Sequence, residues 1–89
     1  MNDKAFVYTY ATSAGTFRIQ PHKDKFGLFI DYPNGEWDLK TTCVSVEDGI
    51  DYVSHQDTGV HEWDDLDSIS DSVGRIEAWQ QRPFRPRPA

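Results

Sequence analysis

Cys43, His55 and His61 are the side chains best suited to covalent or metal chemistry in this chain, and the acids after them are best suited to holding a cation. A thiolate beside an imidazole makes a nucleophile pair. Cys43 lies just before a helix-opening Ser45-Val46-Glu47-Asp48, though outside the first turn, where a helix favours a thiolate most. No third group is evident to orient His55. Five residues separate His55 from His61, a spacing zinc fingers use, but the paired cysteine is missing and Asp38 or Glu36 would have to act as an odd fourth ligand. Glu62, Asp64, Asp65, Asp67 and Asp71 suggest calcium. A loop of the EF-hand kind starting at Asp65 needs glycine at its sixth position and a carboxylate at its twelfth, and the chain has Ser70 and Ile76 there. No glycine-rich phosphate loop is present. These residues therefore predict no catalytic site, no metal and no cofactor. A small enzyme or metal site around Cys43, His55 and His61 is kept as a second alternative.

The charge pattern points to binding instead. The net charge of −6 conceals a segregation: residues 1–43 are neutral, residues 44–81 carry ten acids against Arg75 alone, and residues 82–89 add three arginines. An acidic surface repels phosphate backbones and attracts basic proteins. Glu62, Asp64, Asp65 and Asp67 are the acidic candidates for such a contact. Phe84, Arg85 and Arg87 are the candidates in the tail, where Pro83-Phe84-Arg85-Pro86 fits the P-x-x-P pattern of polyproline II ligands.

The elements that must position these groups fall into two halves. Phe6, Tyr8 and Tyr10 alternate with Val7 and Thr9, the period of two that marks a half-buried strand. Phe17 and Ile19 continue the pattern as far as Pro21. Phe26 to Asp31 is a third strand, Tyr32-Pro33-Asn34-Gly35 is a hairpin turn, and a fourth strand is expected to place Trp37, Leu39, Thr41 and Cys43 on one face. The period then changes. Ser45 caps a helix whose Val46, Ile50 and Val53 share a face, with Gly49 expected in close packing and Gly59 as its stop. Trp63 and Trp79 read as core anchors, and residues 66–80 give no single reading.

Several of these pieces together resemble a group of small bacterial proteins of unknown function. Their pattern is T-F-x-I in an early strand, an S-x-E-x-A-x-x-V helix, T-G-x-x-x-W-D and a later tryptophan. It is met here by Thr16 to Ile19, Ser45 to Val53, Thr58-Gly59 through Trp63-Asp64, and Trp79. The chain departs from it at Gly49, where the group tends to show alanine, and in the arginine-proline tail. The resemblance implies a compact α+β domain and brings no catalytic residues. The order of strands and helix also looks like the apetala-type DNA-binding domain of plants, which reads DNA from its exposed sheet face.

The expected fold is thus α+β: a four-stranded antiparallel meander with one helix packed on one face, followed by an irregular C-terminal segment. Residues 1–81 form a single domain, and residues 82–89 an extended or disordered tail. One cysteine, no long apolar run and no apolar leader predict a soluble cytoplasmic chain without membrane contact. Its expected function is a non-enzymatic protein-interaction or regulatory module with a protein partner, a basic one suiting its charge, acting as monomer or homodimer. Nucleic-acid binding through the exposed sheet face is the first alternative.

Overall fold

The computed structural model describes residues 6–84. Four strands run as a meander: β1 (Phe6–Thr12), β2 (Gly15–His22), β3 (Lys25–Asp31) and β4 (Trp37–Cys43). Helix α1 (Val46–Ser54) follows, then a single turn α2 (His61–Asp64), two 3-10 helices (Asp71–Gly74 and Ile76–Ala78) and a last strand β5 (Gln80–Pro83). All strand pairs are antiparallel in the order β4-β3-β2-β1-β5. The expected α+β meander with one packed helix is therefore present, and β5 extends it by one strand at the β1 edge. Arg82 and Pro83, expected in the tail, belong to that strand, with Val7 opposite Arg82 and Phe6 opposite Pro83. Proline is tolerated because β5 is an edge.

The hairpins form where the turn residues dictate. Thr12 Oγ1 accepts from the Ala14 amide at 3.1 Å and donates to the Gly15 carbonyl at 2.6 Å. Gly15 is obligatory: its φ is 139°, and a Cβ there would lie 2.8 Å from the Asp31 carbonyl oxygen. In the third hairpin Pro33 and Asn34 sit at the turn's centre, closed by the Gly35 amide on the Tyr32 carbonyl at 3.0 Å. Asn34 Oδ1 takes the Glu36 amide at 2.9 Å.

One irregularity decides which side chains face where. Leu28 pairs with Thr41 but Phe29 pairs with Leu39, so Lys40 is an extra residue in β4. A bulge of this kind reverses the alternation on either side of it. Thr41 and Cys43 stay on the helix side with Leu28 and Phe26, whereas Leu39 and Trp37 join Phe29 and Asp31 on the opposite side. The expectation that Trp37, Leu39, Thr41 and Cys43 share a face is corrected for this reason.

The core lies between the sheet and the C-terminal half. Tyr8, Phe17, Ile19, Phe26, Leu28, Ile30 and Cys43 supply the sheet side, and Val46, Ile50, Val53, Val60, Trp63, Val73 and Trp79 cover them. Ser45 Oγ accepts from the Asp48 amide at 3.0 Å and opens α1 as its sequence predicts. Gly49 is the close-approach point, since a Cβ would meet Ile19 Cδ1 at 2.8 Å and Cys43 Sγ at 3.3 Å. Gly59 does not stop the helix. Gln56, with φ of 55°, takes the left-handed position after His55, and Gly59 (φ 84°) bends the chain later. Gln56 is held there by its side chain, whose Nε2 donates to the Trp63 and Leu66 carbonyls at 2.9 and 3.0 Å.

Candidate functional site

The groups with covalent or metal potential are kept apart. Cys43 is buried at the end of β4, and desolvation first, then the Asp48 charge, pushes its thiol up to about 11. That is the reverse of what a nucleophile needs. His55 and His61 are exposed, and His55 Nδ1 lies 2.9 Å from the Asp51 carbonyl at the end of α1. Gly49 packs on Cys43, which places His55 about 9 Å further along the helix axis at 1.5 Å per residue. Among the described residues, no three His, Cys, Asp or Glu side chains come together as a metal site.

The acidic candidates divide. Asp64 is turned into its own loop: its carboxylate accepts from the Thr58 amide at 3.1 Å, Thr58 Oγ1 at 2.8 Å and the Gly59 amide at 2.8 Å. Thr58 Oγ1 in turn accepts from the Val60 amide at 3.1 Å. Asp64 thus closes the turn that delivers Trp63 to the core, where the indole N–H donates to the Val53 carbonyl at 2.8 Å and the ring meets Phe17 edge-on at 5.6 Å. Glu62, Asp65 and Asp67 are exposed. Glu62 borders a shallow depression with Tyr32 and Glu36, and the Tyr32 hydroxyl is raised by desolvation and by Asp38 and Glu62. In the tail, Phe84 is half-buried, while Arg85 and Arg87 lie outside the described residues.

A different surface gathers the side chains suited to recognition. Among the described residues, no helix packs on the sheet face away from α1. Cross-strand registers set Leu39, Phe29, Arg18, Thr9 and Gln80 in one row across all five strands, and Trp37, Asp31 and Thr16 in the next. Trp37 is 60% exposed and Leu39 40%, beside Phe29 at 5%. The Trp37 and Phe29 rings are 5.8 Å apart, and His22 meets Phe29 edge-on at 5.7 Å. Arg18 sits over Phe29 with its guanidinium carbon 4.6 Å from the ring centre. Its Nε and Nη2 donate to Asp31 at 2.9 and 2.8 Å, and its Nη1 to Gln20 at 2.7 Å. The cation is fixed as a plane rather than left as a mobile charge.

This patch was missed in the sequence because a regular alternation through Lys40 assigns Trp37 and Leu39 to the core side. The available signal was the pair itself: Trp37 and Leu39 cannot both bury where Ile30 and Leu28 already fill the helix side. Set against known protein families, curated proteins and solved structures, the chain matches none.

Proposed function

We propose that the chain is a non-enzymatic protein-interaction module and that the open face of its sheet is the contact surface. The observation that carries the reading is Trp37, largely exposed on the open sheet face beside Leu39 and the Phe29–Arg18 stack. Exposed tryptophan and arginine held by their neighbours are the residues that dominate binding energy where proteins meet. The raised thiol of Cys43 and its separation from His55 speak for binding over nucleophilic chemistry.

The acidic residues take a lesser part in this reading. Asp64 is already saturated by its loop, which leaves Glu62, Asp65 and Asp67 as exposed charges. A contact of those three with a basic protein is the narrower form of the same function. Nucleic acid is the second reading, favoured by the open face's basic residues Arg18, Lys25 and Arg82; of the two carboxylates on the described strands, Asp31 lies on this face and Asp38 pairs with Ile30 on the other.

The test is affinity capture from the host's own lysate with nuclease, using the full chain, Trp37→Ala, and a variant with Glu62, Asp65 and Asp67 made neutral. A protein that survives nuclease, is lost with Trp37→Ala and stays with the neutralised variant is the expected result. Retention by Trp37→Ala would place the contact elsewhere, and loss on nuclease would favour the second reading.

A further inference from the structure

The open face has two unlike ends. On the β3–β4 side, Trp37, Leu39 and Phe29 make an apolar step. On the β1–β5 side, Thr9, Ala11, Thr16, Gln80 and Arg82 line an open depression of about 570 Å³ whose rim is polar and cationic. The Arg18–Asp31 pair at 2.8 Å sits between them and cancels its own charge. Among the described residues, Arg82 and Lys25 are then the strand charges of this face that lie outside an ion pair, one on β5 and one at the start of β3. Ten of the chain's fifteen acids are carried by residues 44–81, most of which form the layer that covers the other face. A helix layer is about 10 Å thick, more than the roughly 8 Å Debye length at physiological salt, so the acidic side does not screen out an anion approaching the open face.

Resting on the interaction reading above, we infer that the partner's contacting element is an acidic polypeptide segment bearing one apolar anchor, laid across the strands of the open face. The anchor seats against Trp37 and Leu39. Its carboxylates reach Arg82 and Lys25, where guanidinium and carboxylate pair through two parallel hydrogen bonds. The span fits: five strands at about 4.8 Å spacing are about 19 Å from β4 to β5, the length of roughly six extended residues. A polynucleotide suits the face less well. Arg18 directs Nε, Nη1 and Nη2 onto Asp31 and Gln20 rather than outward, the two cations outside an ion pair among the described residues of this face neutralise few phosphates, and the aliphatic Leu39 offers no stacking plane.

The experiment is selection of a displayed library of random twelve-residue peptides on the full chain, with Trp37→Ala and Arg82→Gln as counter-targets and a twelve-nucleotide oligothymidylate as a separate probe. Both substituted side chains are exposed, and the melting curve of each variant verifies that it is folded. The expected result is enrichment of peptides with several carboxylates and one large apolar residue. Their affinity falls on the order of tenfold or more with Trp37→Ala, falls with Arg82→Gln, and weakens with added salt. Basic or uncharged winners, enrichment equal on Trp37→Ala, no enrichment at all, or binding of the oligonucleotide alone would each overturn the inference. A lysate partner that depends on Trp37 beside a library without acidic bias would sink this assignment and leave the interaction function standing.

Discussion

Asp64 is the residue whose role changes most between sequence and structure. It reads both as a candidate contact charge in an acidic run and, beside Trp63, as the cap of a turn, and the structure gives it the second role: its carboxylate holds two backbone amides and a hydroxyl of Thr58 and Gly59. Removing it leaves those donors unpaired in a turn where Thr58 is itself buried. Asp64→Ala is expected to lower stability by about 1–3 kcal/mol, whereas Asp65→Ala, an exposed neighbour, changes it by less than about 0.5 kcal/mol; urea unfolding of both variants measures the contrast. Trp63, which that turn delivers, carries more. Its loss opens a void against Phe17 and frees the Val53 carbonyl, so Trp63→Ala costs about 3–5 kcal/mol and a cooperative melt like the wild type's would contradict it. Cys43 supplies the pH dependence. Its thiol stays protonated to about 11 in the folded chain, above the ordinary value of 9.0, so the folded state holds the proton more tightly than the unfolded one. Stability is therefore unaffected by this group below pH 9 and falls as pH rises from 9 towards 11. A thiol reagent at pH 8 is expected to label Cys43 rapidly only after denaturant is added.

Gly49 and Lys40 show how much of an element one residue settles. Alanine at Gly49 gains up to about 1 kcal/mol of helix propensity, but its Cβ would press on Ile19 Cδ1 at 2.8 Å and Cγ1 at 3.1 Å in a side chain with no exposure. Overpacking of that kind costs about 1–3 kcal/mol, so Gly49→Ala is expected to lower the melting temperature, and a rise would show that Ile19 can move aside. The strands of the meander, the Pro33–Asn34 turn and the Ser45 cap were legible in the sequence, because alternation, turn chemistry and capping are local. The bulge at Lys40 was not. Leu39-Lys40-Thr41 reads as unbroken alternation, and only the core side already filled by Leu28 and Ile30 forces Leu39 and Trp37 out. Gln56 was illegible for a similar reason, since its left-handed backbone depends on carbonyls at Trp63 and Leu66 that approach only once the chain has turned back. The open-face patch inherits the same blindness: Phe29, Arg18 and Asp31 were read as strand residues, and their stack exists only through registers between β2, β3 and β4.

The described residues form a two-layer sheet and helix stack with most of the acids in the helical layer and the aromatic–arginine surface on the opposite face of the sheet. Both outer strands matter to that surface, and they are held in different ways. β4 is fixed by covalent continuity with α1 and by Cys43 in the core, and the bulge with Lys40 interrupts its free edge, which hinders edge-to-edge pairing with another chain. β5 has no buried residue and rests on its pairing with β1, from Thr9 opposite Gln80 to Phe6 opposite Pro83. Just before it, Trp79 is anchored by its indole N–H on the Val73 carbonyl at 2.8 Å and by the Tyr10 ring at 5.3 Å. The sheet therefore reaches its full width through a strand whose place is set by Trp79 and whose hydrogen bonds are its own. A chain shortened to end at Phe84 keeps β5 whole and is the reference for its contribution. One ending at Trp79 loses the β1–β5 ladder and the Arg82 side of the open face, at a cost of about 1–2 kcal/mol for exposed backbone bonds, or roughly 4–15 °C in a domain of this size. Amide exchange separates this from general loosening: protection should fall for the β1 amides that face β5 and persist in β2, β3 and α1. Equal losses throughout would mean that β5 holds up the core as well as the sheet's edge.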